Sequence, residues 1–205
     1  MNDLYAAVVH DVANQLAELS LRLSARGDAQ KEMATVMNAA RRLSEMLLMH
    51  RQESEQLSVN PDSVDASDFV TILAAEYREL YPELVIEANI EKAPSMAFFD
   101  DALVRAALAN SMYNACRVAH SKVKLSAYEQ DKMLVLEVAD DGPGYPASLL
   151  AEGITKPSPV SRRGTGMGLY LASKIAKLHH LNSRHGYVEL SNSDAGGAVF
   201  RMVLP

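Results

Sequence analysis

The chain has 205 residues, 48 % of them hydrophobic and 22 % charged, with a formal net charge of −6. That is enough apolar material for one or two globular domains. No run approaches the roughly 18 consecutive apolar residues of a membrane span, and the N-terminus lacks the basic-then-apolar layout of a secretory signal. These features point to the cytoplasm, and the acidic balance argues against nucleic acid or an anionic membrane as partner.

In chain order, apolar residues recur first at Tyr5, Val8, Val9, Val12, Leu16, Leu19 and Leu23, and after the break ARGDAQ again at Met33, Val36, Met37, Ala40, Leu43, Leu47 and His50. Steps of three and four make one apolar stripe on each of two helices. Residues 1–57 are therefore expected to form an antiparallel helical hairpin. One copy cannot bury both stripes, whereas two copies paired as a four-helix bundle can, so a homodimer is expected.

SVNPDSVDAS, residues 58–67, carries a proline and several turn formers and reads as a linker. Beyond it, 68–205 is expected to be a second domain. DFVTILAAEYRELY reads as a helix with Asp68 near its start, LVIEANI as a strand, and DDALVRAALANSMYNACRVAH as a long helix that Asp100 or Asp101 can cap. KVKLSAYEQDKMLVLEVAD reads as a hairpin around EQDK, YLASKIAKLHH as a helix and YVELSNSDAGGAVFRMVLP as a closing hairpin. Hairpins with helices between them suggest an α+β sandwich on a mostly antiparallel sheet. Cys116, the single cysteine, excludes an internal disulfide and reads as a small buried hydrophobe.

Four stretches can carry chemistry. In HDVANQL, at about 100° per residue, His10 lies roughly 150° from the centre of the apolar stripe, and Asn14 projects beside it one turn on. Such a histidine is most often part of a solvated face, but Asp11 can accept one imidazole proton and leave the other nitrogen as a nucleophile. Asn110 and Asn114, one helical turn apart, share a face from which amide oxygens can hold a hard cation such as Mg²⁺, unless they are simply buried or capping amides. EVADDGPGYP ends a strand and turns through Gly142 and Gly144, which lets backbone approach a flat ligand while Asp140 accepts an amine proton; it is also a serviceable turn. RRGTGMGLYLASKIA places three glycines before a helix, where free N–H groups and the helix dipole favour a phosphate chain. Its GxGxG spacing differs from the P-loop. His179, His180 and His185 also cluster, but without a carboxylate or cysteine at ligand spacing they read better as partners of a helix C-terminus than as a metal site.

Together these motifs resemble the bacterial two-component histidine kinases, whose ATP-binding domain has the Bergerat fold shared with gyrase, a heat-shock chaperone and a mismatch-repair ATPase. The resemblance covers nearly the whole chain. NSMYNACR resembles the N box, which implies Asn114 as the Mg²⁺ ligand, Asn110 supporting the phosphates and Arg117 contacting them. DDGPG resembles the G1 box, with Asp140 reading adenine beside Gly142 and Gly144. GTGMGL resembles the G2 box, with Gly164, Thr165, Gly166, Gly168 and Leu169 at the lid hinge and the phosphates. HDVAN resembles the H box, with His10 as phosphoacceptor, Asp11 as the base that activates it and Asn14 as the residue that positions water.

The sequence departs from that pattern in three places. Val118 stands where an aromatic is common, the H box lacks its usual proline, and ASLLAEGITKPSPVSRR has none of the phenylalanine that docks the family's lid. Lys156, Arg162 and Arg163 remain as basic residues for phosphate contact, or as an ordinary solvated loop. The expected function is a histidine kinase core that binds ATP and Mg²⁺, phosphorylates His10 and passes the phosphoryl group to the aspartate of a response-regulator receiver domain. With nine residues before His10 and no receiver domain in the sequence, input is expected from a segment outside it or from a sensor protein in trans. Two rivals are a histidine phosphotransferase that relays phosphoryl groups through a degenerate ATPase-like domain, and an anti-sigma-type serine kinase, which would need no phosphoacceptor hairpin.

Overall fold

The computed structural model describes residues 30–53, 57–154 and 167–205, with Val12, Gln15, Leu16 and Leu19 of an N-terminal helical segment. The chain divides into two compact units, Met1–Leu57 and Ser58–Pro205.

In the first unit, α1 (Gln30–Glu53) runs through the second apolar stripe. Arg41 pairs with Glu45 one turn on and donates to Asn38 Oδ1 at 2.9 Å, so the buried Glu45 carboxylate is compensated within its own helix. Leu47 and Met49 are buried, whereas Val12, Leu19, Met37 and Met46 are each about two-fifths exposed.

The second unit is α+β. Its elements are β1 (Asp62–Val64), α2 (Ala66–Leu80), β2 (Val85–Lys92), β3 (Ala97–Phe99), α3 (Asp101–Val118), β4 (Lys122–Gln130), β5 (Met133–Asp140), α4 (Ala147–Glu152), α5 (Gly168–Leu178), β6 (His180–Leu181), β7 (Arg184–His185), β8 (Tyr187–Asn192) and β9 (Ala198–Leu204). The main sheet has the order β2-β4-β5-β9-β8, antiparallel except for the parallel pair β2–β4. Residues 58–67 are more than a linker, since β1 pairs with β3 there and α2 begins within them.

Local chemistry explains most boundaries. Asp65 caps α2 by accepting from Ser67 N and Asp68 N, and Asp100 caps α3 by accepting from Leu103 N. The β4–β5 hairpin turns on Asp131 and Lys132, both at positive φ, the handedness that matches the twist of the strands. Across the sheet, Leu125, Val138 and Phe200 form one register row and Ala127, Leu136 and Met202 the next, all nearly fully buried. On the opposite face, Glu137 lies between Ser126 and Arg201 in register and takes hydrogen bonds from Arg201 Nε at 2.7 Å and Tyr128 Oη at 3.2 Å. One face is thus the hydrophobic core, and the other carries the Arg201–Glu137–Tyr128 network. α3 and α5 pack on each other and on the sheet, and the strand ends meet this layer at the motif residues.

Candidate functional site

α3 is the element around which the site is built. Its buried positions Leu103, Val104, Ala107, Leu108, Ser111, Met112 and Ala115 step by three and four, which turns Asn110 and Asn114 to a common side. Tyr77 Oη on α2 donates to Ala109 O at 2.5 Å and fixes the turn that carries Asn110. Asn110 is 4 % exposed, Asn114 is half-buried and Arg117 is exposed. Cys116 is buried as expected, and desolvation pushes its thiol up to about 12.

Asp140 ends β5 on the same face as its register partner Val123. Its Oδ1 accepts from Gly142 N at 2.8 Å and from Ala198 N at 3.2 Å. Two backbone donors aim the carboxylate, and among the described residues Oδ2 accepts no hydrogen bond, so it can accept one from the N–H of a ligand amine. Gly142 is glycine because a Cβ there would stand 2.5 Å from the Val118 carbonyl oxygen at the end of α3. The turn after β5 is therefore in backbone contact with the helix of the two asparagines.

Asp141 strengthens that contact. Its carboxylate accepts from His120 N at 2.8 Å, Ser121 N at 3.0 Å and Ser121 Oγ at 2.6 Å. The Ser121 hydroxyl, aided by these amides, holds the carboxyl well below the usual carboxylate range. Gly144 sits at φ +79°, and a Cβ on it would collide with Asn192 at 2.8 Å. Asn192 accepts from Tyr145 N at 2.7 Å through Oδ1 and donates to Tyr145 O at 3.0 Å through Nδ2, so a side-chain amide on β8 pairs with the backbone after the turn. Burial and then the Asp140 charge raise the Tyr145 phenol pKa, which keeps it neutral beside the carboxylate.

The third motif meets the first at Gly168, which opens α5. A Cβ at Gly168 would overlap Asn110, 1.7 Å from its Nδ2, so only glycine lets α5 begin against that amide. Among the described residues no side chain caps α5 at Met167, which leaves its first N–H groups directed out of the helix start. Leu169 is half-buried in the first turn. The structure thus gathers Asn110, Asn114, Arg117, Asp140, Gly142, Gly144, Gly168 and Leu169 along α3, the β5 turn and the α5 start. His10, Asp11, Asn14, Lys156, Arg162, Arg163, Gly164, Thr165 and Gly166 lie outside the described residues.

Two contributors escaped the sequence reading. Asp141 was visible in DDGPG, but nothing local shows that its partner is the loop after α3. Asn192 lies 47 residues from Tyr145 in sequence and carries no signal of its own.

Comparison with known proteins agrees with this geometry. The family described as histidine kinase-, DNA gyrase B-, and HSP90-like ATPase matches residues 99–205, just over half of the chain. The sensor protein kinase PilS of Pseudomonas aeruginosa is 24 % identical over 97 % of this chain and 39 % of its own length. For the sensor protein KdpD of Escherichia coli the identity is 26 % over 100 % of this chain and 24 % of KdpD, and for the sensor-type histidine kinase PrrB of Mycobacterium bovis 28 % over 77 % of this chain and 35 % of PrrB. The chain spans less than half the length of each of these relatives. Among solved structures, full-length ShkA in complex with AMPPNP superposes with a TM-score of 0.71 at 18 % identity over 99 % of this chain and 45 % of ShkA. The Acinetobacter baumannii histidine kinase AdeS gives 0.64 at 21 % identity over 83 % of this chain and 81 % of AdeS. The chain belongs to the histidine kinase-, DNA gyrase B- and HSP90-like ATPase family, and its relatives place it with the cores of two-component sensor histidine kinases.

Proposed function

We propose that this chain binds Mg-ATP between α3, the β5 turn and the start of α5, phosphorylates His10, and donates the phosphoryl group to an aspartate of a response-regulator receiver domain. The observation that carries the reading is the double contact of α3, with the Gly142 turn at Val118 and with Gly168 at Asn110. It puts a free carboxylate oxygen and an uncapped helix start on one helix, the polarity that an adenine amine and a phosphate chain require. Asp140 would read the exocyclic amine, and Asn110 and Arg117 would support the phosphates.

The donor chemistry suits a metal brought in by the nucleotide. Among the described residues no three histidine, cysteine or acidic side chains converge, and a hard divalent ion can take the Asn114 amide oxygen, phosphate oxygens and water. When bound, Mg²⁺ would neutralise phosphate charge; the chain's own part is to bind and orient the nucleotide.

In Met1–Leu57, Asp11 would activate His10 and Asn14 would position water. Val12, Leu19, Met37 and Met46 leave apolar surface on both helical segments, which a second copy would cover in a four-helix bundle. Among the described residues no helix is long and apolar enough to cross a membrane.

Calorimetric titration with AMPPNP, with and without Mg²⁺, tests the site. Metal-dependent binding that Asn114→Ala abolishes is expected, and undiminished binding to that variant refutes the metal assignment. His10→Gln should keep the affinity and lose all acid-labile label. Absence of binding at millimolar nucleotide would instead favour the relay phosphotransferase, the reading suggested by the phenylalanine-free segment before Gly164.

A further inference from the structure

His179 follows the last residue of α5 and is 3 % exposed. Its Nδ1 lies 2.8 Å from Ile175 O, and its Nε2 accepts from Asp100 N at 3.0 Å. A carbonyl can only accept and a backbone N–H only donate, so the ring carries its proton on Nδ1 and leaves Nε2 bare. His179 is a neutral imidazole in one fixed tautomer. Burial drives its pKa down, against smaller upward effects of the Ile175 bond and the Asp100 charge.

Asp100 works in three directions. Its own N–H goes to His179, its Oδ1 accepts from Leu103 N at 3.0 Å to cap α3, and its Oδ2 accepts from Asn60 N at 3.0 Å. Asn60 belongs to the segment through which the chain enters Ser58–Pro205, just before β1, and β1 pairs with β3, which leads straight into Asp100. Ten residues into α3, and at the opposite end of α5 from His179, Asn110 packs on Gly168. The ten-residue spans from Asp100 to Asn110 and from Gly168 to Leu178 are both about 15 Å long at 1.5 Å per residue. α5 therefore lies beside the first ten residues of α3, held to it at both of its own ends.

We propose that His179 is a positioning residue for the nucleotide site. Through Asp100 it sets the placement of α5 along α3, hence of the Gly168 start against Asn110 and Asn114, and it ties that placement to the entry segment at Asn60. The inference rests on the nucleotide reading of the site. A displacement of the entry segment acts on the cap of α3 and, through the same residue, on α5, a mechanical route from the first unit's chain end to both nucleotide-facing elements.

The test uses the full chain and Mg-AMPPNP titration of the wild type, His179→Leu, His179→Gln and Asp100→Asn. Leucine removes the acceptor and is expected to weaken affinity about threefold to thirtyfold, the range of mutations along coupled contacts. Glutamine offers an oxygen to Asp100 N and an N–H to Ile175 O, and should stay within about twofold of wild type. A purely structural role would lower the thermal midpoint without this split in affinity. Asp100→Asn keeps the cap but turns one arm into a donor facing Asn60 N, so it should weaken binding with an almost unchanged midpoint. Asp100→Asn leaves the His179 bond to Asp100 N intact and so tests the tie to Asn60 alone. If His179→Leu does not fold, His179→Asn takes its place, since its amide can still meet Ile175 O but is too short to reach Asp100 N. Reduced affinity of that variant supports the proposal and wild-type affinity overturns it. Leucine binding as well as wild type, or glutamine binding as poorly as leucine, also overturns it. A wild type that binds no nucleotide refutes the site reading itself and takes this proposal with it, so the two failures are distinguishable.

Discussion

Gly142→Ala isolates the contact between the β5 turn and α3. Gly142 is not among the glycines at positive φ, so alanine costs nothing in backbone conformation and the whole effect is steric. The added Cβ would stand 2.5 Å from Val118 O and 3.0 Å from both Val118 C and Asp140 Oδ1. Unstrained contact needs about 3.5 Å, so two backbones must part by about 1 Å, or the turn must rotate and carry Asp140 with it. Overpacking of this kind costs about 1–3 kcal/mol. For a domain of this size each kcal/mol lowers the thermal midpoint by about 2–4 °C, which gives a fall of about 2–12 °C. The strain falls between the Asp140 carboxylate and the asparagine helix, so nucleotide affinity should drop about tenfold or more, a loss near 1.4 kcal/mol at the least. Differential scanning calorimetry and nucleotide titration read the two effects on one sample. A midpoint within about 1 °C of wild type together with unchanged affinity would refute the idea that this approach is rigid.

Two further outcomes follow from the same geometry. The folded-state pKa of Asp141 is depressed, so its contribution to stability is present above the unfolded carboxylate value of about 3.9 and is lost as pH falls toward the folded value. Asp141→Asn should therefore be less stable than wild type at neutral pH, and the gap should narrow only below about pH 4; a gap independent of pH down to about 2 would contradict the assignment. Cys116, with its thiol pushed up to about 12 and its side chain buried, should resist an aromatic disulfide reagent at pH 8 until denaturant is added. Rapid labelling of the native chain would show that the end of α3 opens.

Long helices and hairpin strands were legible because one-faced burial prints its period on the chain. The apolar steps of α3, the β4–β5 hairpin and the cap at Asp100 are local, and each needs only residues within a turn or a hairpin to specify it. The short strands were not legible. β1 and β3 have three residues each and β6 and β7 two, too few for a period. β1 and β3 moreover exist because backbone more than 30 residues away supplies their hydrogen bonds, whereas β6 and β7 pair with each other across a local turn. The six-residue α4 was hidden in a stretch read as loop for the same reason.

The motif residues divide the same way. From the sequence alone come the residue types, a carboxylate before a glycine turn, amides one helical turn apart and glycines before a helix, since chemistry and local spacing suffice to recognise them. The tertiary structure decides why each glycine must be glycine: Gly142 meets Val118, Gly144 meets Asn192 and Gly168 meets Asn110, contacts that span from 24 to 58 residues of chain. It also decides that Asp141 staples the turn, that Asn192 holds Tyr145, and that His179, besides meeting the α5 C-terminus at Ile175 O, is a buried acceptor for Asp100 N. A side chain's role follows from what faces it, and what faces it is settled only when helices and strands distant in sequence pack into one layer.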